Sequence, residues 1–158
     1  VRELILSGRP GELTLHAEAH LFAAARAELV ERVIRPSLAA GRWVVSDRFL
    51  DSSLAYQGFA RGLGIDEVWD INRTAVQGCL PDLTLVIDTP PAAAAWRRVA
   101  GSDRIEAEGD GFQVRVVQGY HELAERFPDR VRLVAGEGTI GAVHGRVMAA
   151  VDAVGAPA

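Results

Sequence analysis

Apolar and polar positions alternate between helical and strand periods along this chain. From Thr14 to Leu38, apolar side chains at Leu15, Ala19, Phe22, Leu29 and Val33 recur three, four or seven residues apart, which predicts one long helix. Pro36 near its end is expected to break or kink it, because proline cannot donate to the helical ladder. Gly41 stops the helix, and Trp43-Val44-Val45-Ser46 reads as a short buried strand. Asp51 or Ser52 is placed to cap a following helix that carries Leu54, Ala55 and Tyr56. Gly58, Gly62 and Gly64 read as a loop, after which Asp66 can cap a helix through Trp69, Ile71 and Val76.

The second half repeats the alternation. Leu83 to Ile87 reads as a second buried strand, and Thr89-Pro90-Pro91 before an alanine run reads as a helix start. The polar, glycine-flanked stretch from Gly101 to Gly111 reads as a mobile loop. Phe112 to Phe127 is helical, Val131 to Val134 is a third strand, and Thr139 to Val154 is a last helix. Strands alternating with helices imply an α/β fold whose parallel sheet is covered on both faces. Such sheets bind ligands beyond the carboxyl ends of their strands. Ser46-Asp47-Arg48, Asp88-Thr89 and Ala135-Gly136 are therefore expected along one rim.

Length and composition sharpen this picture. At 158 residues, a single domain over 1–158 is the default. A net charge of −4 argues against a general nucleic-acid binder, although local arginines can still hold small anions. The lone Cys79 cannot form an internal disulfide and no apolar run reaches the ~18 residues of a membrane span, so the chain reads as soluble and cytoplasmic. All 17 basic residues are arginine, which excludes Schiff-base chemistry and the lysine of a phosphate-binding P-loop.

The run Val44 to Gly58, VVSDRFLDSSLAYQG, holds the first candidate chemistry. A strand ending in Asp47 suits the water shell of a Mg²⁺-nucleotide, and the planar fork of Arg48 suits a phosphate. On spacing alone, the two read equally well as a capping pair at a strand end. Ser53, Tyr56 and Gln57 are three and four residues apart and so are expected on one helical face. A glutamine amide offers both a donor and an acceptor, matching the N3–H and O4 of a pyrimidine. Phe22 and Arg26 are likewise four apart, although Phe22 reads more simply as a core residue.

The segment LFAAARAELVERVIRPSLAAGRWVVSDRFLDSSLAYQGFARGLG resembles bacterial thymidylate kinases, and PDLTLVIDTPPAAA and SDRIEAEGDGFQVRVVQGYHELA continue the likeness in order. The resemblance implies a P-loop nucleoside-monophosphate-kinase fold, three-layered α/β/α around a parallel sheet. It implies transfer of the ATP γ-phosphate to dTMP with Mg²⁺, by a homodimer. Carried over by position, Phe22 stacks on thymine, and Arg26, Ser53 and Gln57 hydrogen-bond the base. Tyr56 crowds the ribose 2′ position, Arg48 holds the acceptor phosphate, and Asp47 joins the Mg-ATP network through water. Arg104 matches an arginine of a lid near 101–111, Arg97 or Arg98 flanks the adenine, and Gly136 lies near it.

One departure stands out. No G-x-x-x-x-G-K-S/T pattern occurs, and Val1 to Gly8 resembles the helix after a second loop of that family. The expectation is therefore a fold lacking its first two strands, about the carboxy-terminal three quarters of such a kinase, with little activity of its own. Two other signals are weaker. Gly136 to Gly141 fits G-x-G-x-x-G but is followed by no second strand, so a dinucleotide site is not expected. His16 and His20 are four apart but lack a third metal ligand.

Overall fold

The computed structural model describes residues 13–89 and 109–155. Thr14 caps the first helix, its hydroxyl accepting from the Ala17 N–H at 3.2 Å. That helix, α1 (Leu15–Leu29), runs through a π-helical turn, Val30–Ile34, into α2 (Arg35–Ala39). The π turn accommodates Pro36. A proline ring crowds the carbonyl one turn back, and here the preceding turn is already widened, with the Arg35 N–H reaching Val30 O. Pro36 thus shifts the hydrogen-bond register without ending the helix.

The 43–46 segment is a correction. It forms no strand, and Trp43 and Val45 are 60% and 94% exposed. A strand exists only where a neighbour supplies hydrogen bonds, and among the described residues the sheet consists of two other segments. The caps also differ from expectation. α3 (Leu50–Ser53) starts after Phe49, and Asp51 is buried in its first turn. There its carboxylate accepts from Thr84 Oγ1 at 2.6 Å and Arg130 Nη1 at 2.7 Å. α4 (Ile65–Val76) is preceded by Gly64, and Asp66 sits in its first turn paired with Arg126.

β1 (Thr84–Asp88) and β2 (Val131–Ala135) pair in parallel, with Thr84 opposite Val131 and Asp88 opposite Ala135. Between them in sequence lies α5 (Asp110–Arg126), and α6 (Ile140–Asp152) follows β2, capped by Thr139. The last two residues of the expected loop, Asp110 and Gly111, belong to α5 instead. Residues 101–108 of that loop and the helix expected after Pro91 lie outside the described residues.

The core joins these pieces around a second π-helical stretch, Leu54–Ala60, that continues α3. Leu50, Leu54, Ala55, Val68, Val76, Leu123 and Val131 form its main cluster. Each fully buried leucine among them contributes about 1.5–3 kcal/mol of transfer free energy. Gly119 lets α5 lie against that stretch, since a Cβ there would stand 3.1 Å from the Ala55 carbonyl oxygen. A second cluster, Ala60, Phe112 and Val116, is flanked by Phe22, Tyr56 and Tyr120.

Candidate functional site

A cleft opens where α1 passes the turn before α3, lined by Phe22, Ala25, Arg26, Leu29, Arg48 and Phe49. The helical spacing of Phe22, Ala25, Arg26 and Leu29 brings them to one side of α1. Arg26 is buried, and its guanidinium donates to the Phe49 carbonyl (3.0 Å), to Ser53 Oγ (2.9 Å) and to Asn72 Oδ1. The same guanidinium lies 5.4 Å from the Phe49 ring centroid. Burial lowers its pKa to about 10, opposed by the charge of Asp51. It therefore keeps its charge at neutral pH, fixed by three acceptors on three different segments.

Arg48 supplies the exposed charge. Its backbone is left-handed, φ 72°, and Ser46 Oγ donates to its carbonyl at 2.9 Å. Its guanidinium carbon is 5.0 Å from the Tyr56 ring centroid. Burial of its inner face works to lower the Arg48 pKa, but attraction to Tyr56, Tyr120 and Asp47 prevails and raises it. Tyr56 is held edge-on by Phe112 and Tyr120, at 6.0 and 6.4 Å between centroids. Tyr120 is tied in turn to Ser52 through a 2.8 Å hydroxyl contact. Burial raises the Tyr120 pKa, which keeps its proton on.

The expected common face of Ser53, Tyr56 and Gln57 is divided in two. Ser53 and Gln57 both turn to α1, one to Arg26 and the other to Glu18, at 2.9 Å each. Tyr56 turns instead to Arg48 and α5. The π register after Ser53 is the cause, because its wider turn shifts a residue three positions on away from the line of the first.

Sequence reasoning overlooked Glu18, Phe49, Arg61 and Asn72. Glu18 is almost completely buried and accepts from Gln57 Nε2 and from Arg61 Nε, the latter at 2.8 Å. Asn72 is the only asparagine in the chain and anchors itself on the Val68 carbonyl at 2.8 Å. A lone amide on an amphipathic helix was the available signal for it. His16 binds Glu67 at 2.8 Å, and among the described residues no His, Cys, Asp and Glu group could hold a metal alone. Gly136 donates its N–H to the Asp88 carbonyl at 2.7 Å, closing the ends of β1 and β2 together. Arg97, Arg98 and Arg104 lie outside the described residues.

Comparison with known proteins decides the family. The sequence profile of thymidylate kinases matches residues 1–147. A thymidylate kinase of Rhizorhabdus wittichii is 44% identical over 154 residues, covering 95% of this chain and 74% of that protein. One from Desulforudis audaxviator is 44% identical, covering 98% and 70%, and one from Caldanaerobacter subterraneus is 42% identical, covering 96% and 73%. The chain belongs to the thymidylate kinase family. The small parallel β1–β2 sheet with helices packed around it is the part of that family's α/β architecture formed among the described residues. No helix among the described residues is long and apolar enough to cross a membrane.

Proposed function

We propose that the cleft binds dTMP and that the protein acts in transfer of the ATP γ-phosphate to it, giving dTDP. One observation carries this reading: a buried, charged Arg26 and an exposed Arg48 line the same cleft, together with the rings of Phe22 and Phe49. An aromatic base fits the rings and the inner cation, and a phosphate fits the outer one. In this reading Phe22 stacks on thymine, while Arg26, Ser53 and Gln57 meet its polar edge. Tyr56 closes the 2′ side of the sugar and Arg48 takes the 5′-phosphate. Arg104 closes over the transferring group, and Arg97 or Arg98 and Gly136 border the adenine.

The acceptor is already an anion, so the chain's task is to align it and to spread charge, with no dedicated base. Asp47 is an exposed carboxylate beside Arg48, which suits a Mg²⁺ brought by ATP and met through water. That ion, when bound, supplies charge neutralisation at the donor phosphates. A homodimer in the cytoplasm, with no nucleic acid or membrane as partner, completes the proposal.

A second reading rests on one sequence fact. The 158 residues hold no lysine and no P-loop pattern, so they carry an acceptor site without the usual donor cradle. These residues then bind dTMP without turning it over. Thermal unfolding with each nucleotide and a coupled assay with Mg-ATP and dTMP separate the two. Stabilisation by dTMP with negligible turnover identifies the binding fragment, and appreciable turnover identifies the kinase. No stabilisation by dTMP at millimolar concentration overturns both.

A further inference from the structure

Glu18 stands one helical turn before Phe22 on α1, almost wholly out of water. Its Oε1 accepts from Gln57 Nε2 at 2.9 Å and from Arg61 Nε at 2.8 Å. A carboxylate accepts and never donates while ionised, so it can face only the nitrogen end of the Gln57 amide. Gln57 is itself buried, so its contact with Glu18 is shielded from water. The Arg61 guanidinium, above the Phe112 ring at 5.1 Å, holds the carboxylate in place. On the far side of Phe22, one turn along α1, Arg26 holds Ser53 in the same way. Phe22 is thus framed by two polar rungs, Glu18–Gln57 and Arg26–Ser53, that join α1 to the segment 53–57.

We propose that Glu18 is a positioning residue that sets base specificity by fixing which end of the Gln57 amide meets the ligand. This rests on the dTMP reading of the cleft. With its nitrogen committed to Glu18, Gln57 presents its carbonyl oxygen to the base. That oxygen accepts from an N3–H, which thymine and uracil carry. It opposes the bare N3 of cytosine, where two acceptors would face each other. Without Glu18 the amide is free to turn over and serve either base.

The test compares dTMP and dCMP binding by calorimetry in the wild-type chain, Glu18→Gln and Glu18→Asp. Glu18→Gln has the same shape but can donate as well as accept. Its preference for dTMP over dCMP is expected to fall by about tenfold, the worth of one hydrogen bond. Glu18→Asp keeps an acceptor-only group and is expected to keep the preference even where overall affinity drops. A folded Glu18→Gln protein with the wild-type ratio overturns the role of Glu18 while leaving the dTMP reading intact. A wild-type chain that binds neither nucleotide overturns both. Should Glu18→Gln fail to fold, the side-chain amide of Gln57 is followed by NMR in the wild-type chain. A protected amide proton that persists when dTMP binds, with a shift of the carbonyl carbon, supports the proposal. Loss of that protection on binding overturns it.

Discussion

The guanidinium of Arg48 rests on the ring of Tyr56, 5.0 Å from its centroid, while the Arg48 backbone occupies the left-handed region at φ 72°. The side chain that would take the phosphate is therefore delivered by a conformation that costs about 1–2 kcal/mol for a residue with a Cβ. Glycine escapes that cost. Arg48→Gly is expected to be more stable than Arg48→Ala by about 1 kcal/mol in urea unfolding, and both should lose most dTMP affinity. An alanine variant as stable as the glycine variant would show that no strain is held there.

Tyr56 is the platform for Arg48 and is pinned by Phe112 and Tyr120. If its ring closes the 2′ side of the sugar, Tyr56→Ala should narrow the preference for dTMP over ribothymidine monophosphate by at least about tenfold, since a steric rejection of a hydroxyl is being removed. Competition binding with the two nucleotides measures this. Tyr56→Phe keeps the ring and is expected to keep the preference.

Arg26 has a structural role and, in the proposed function, a binding role, and mutations can separate the two. Arg26→Ala leaves Asn72 Oδ1, Ser53 and the Phe49 carbonyl without their donor, so unfolding free energy should fall by about 1–3 kcal/mol even without ligand. In dTMP titrations the same variant should lose affinity well beyond that of Asn72→Ala, which disturbs the guanidinium but leaves its charge. Equal losses for the two would remove Arg26 from the base site.

Gly136 and Gly145 offer a paired test of close packing. A Cβ at Gly136 would stand 2.3 Å from Thr89 Oγ1 and 2.9 Å from the Asp88 carbonyl oxygen, where β1 and β2 end together. Gly136→Ala should cost about 1–3 kcal/mol, since the backbone must separate. At Gly145, inside α6, a Cβ would meet nothing within 4 Å. Gly145→Ala should stabilise by about 0.5–1 kcal/mol through helix propensity alone. Both values come from equilibrium unfolding in urea.

Much of this architecture was legible in the residues. The helices expected from Thr14 and from Thr139 do begin there, and α5, β1 and β2 lie within two residues of their expected limits. Apolar spacing records a half-buried face directly, which is why these elements could be read. Asp51 and Asp66 show where local reading ends. Each has the composition of a cap, yet in the fold they are paired with Arg130 and Arg126, 79 and 60 residues away. The 43–46 run has strand composition but no partner segment among the described residues.

The sequence alone nominated Phe22, Arg26, Arg48, Ser53, Tyr56 and Gln57 for the candidate site, and of these Phe22, Arg26 and Arg48 line the cleft. The division of Ser53, Tyr56 and Gln57 between two faces was not legible there. It follows from the π register after Ser53, and local composition does not encode a wider turn that packing against α1 and α5 selects. The buried Glu18 and its partner Arg61 were invisible for the same physical reason. A charge or amide is driven inside only when a distant segment meets its hydrogen bonds, and that meeting exists only once the chain has folded.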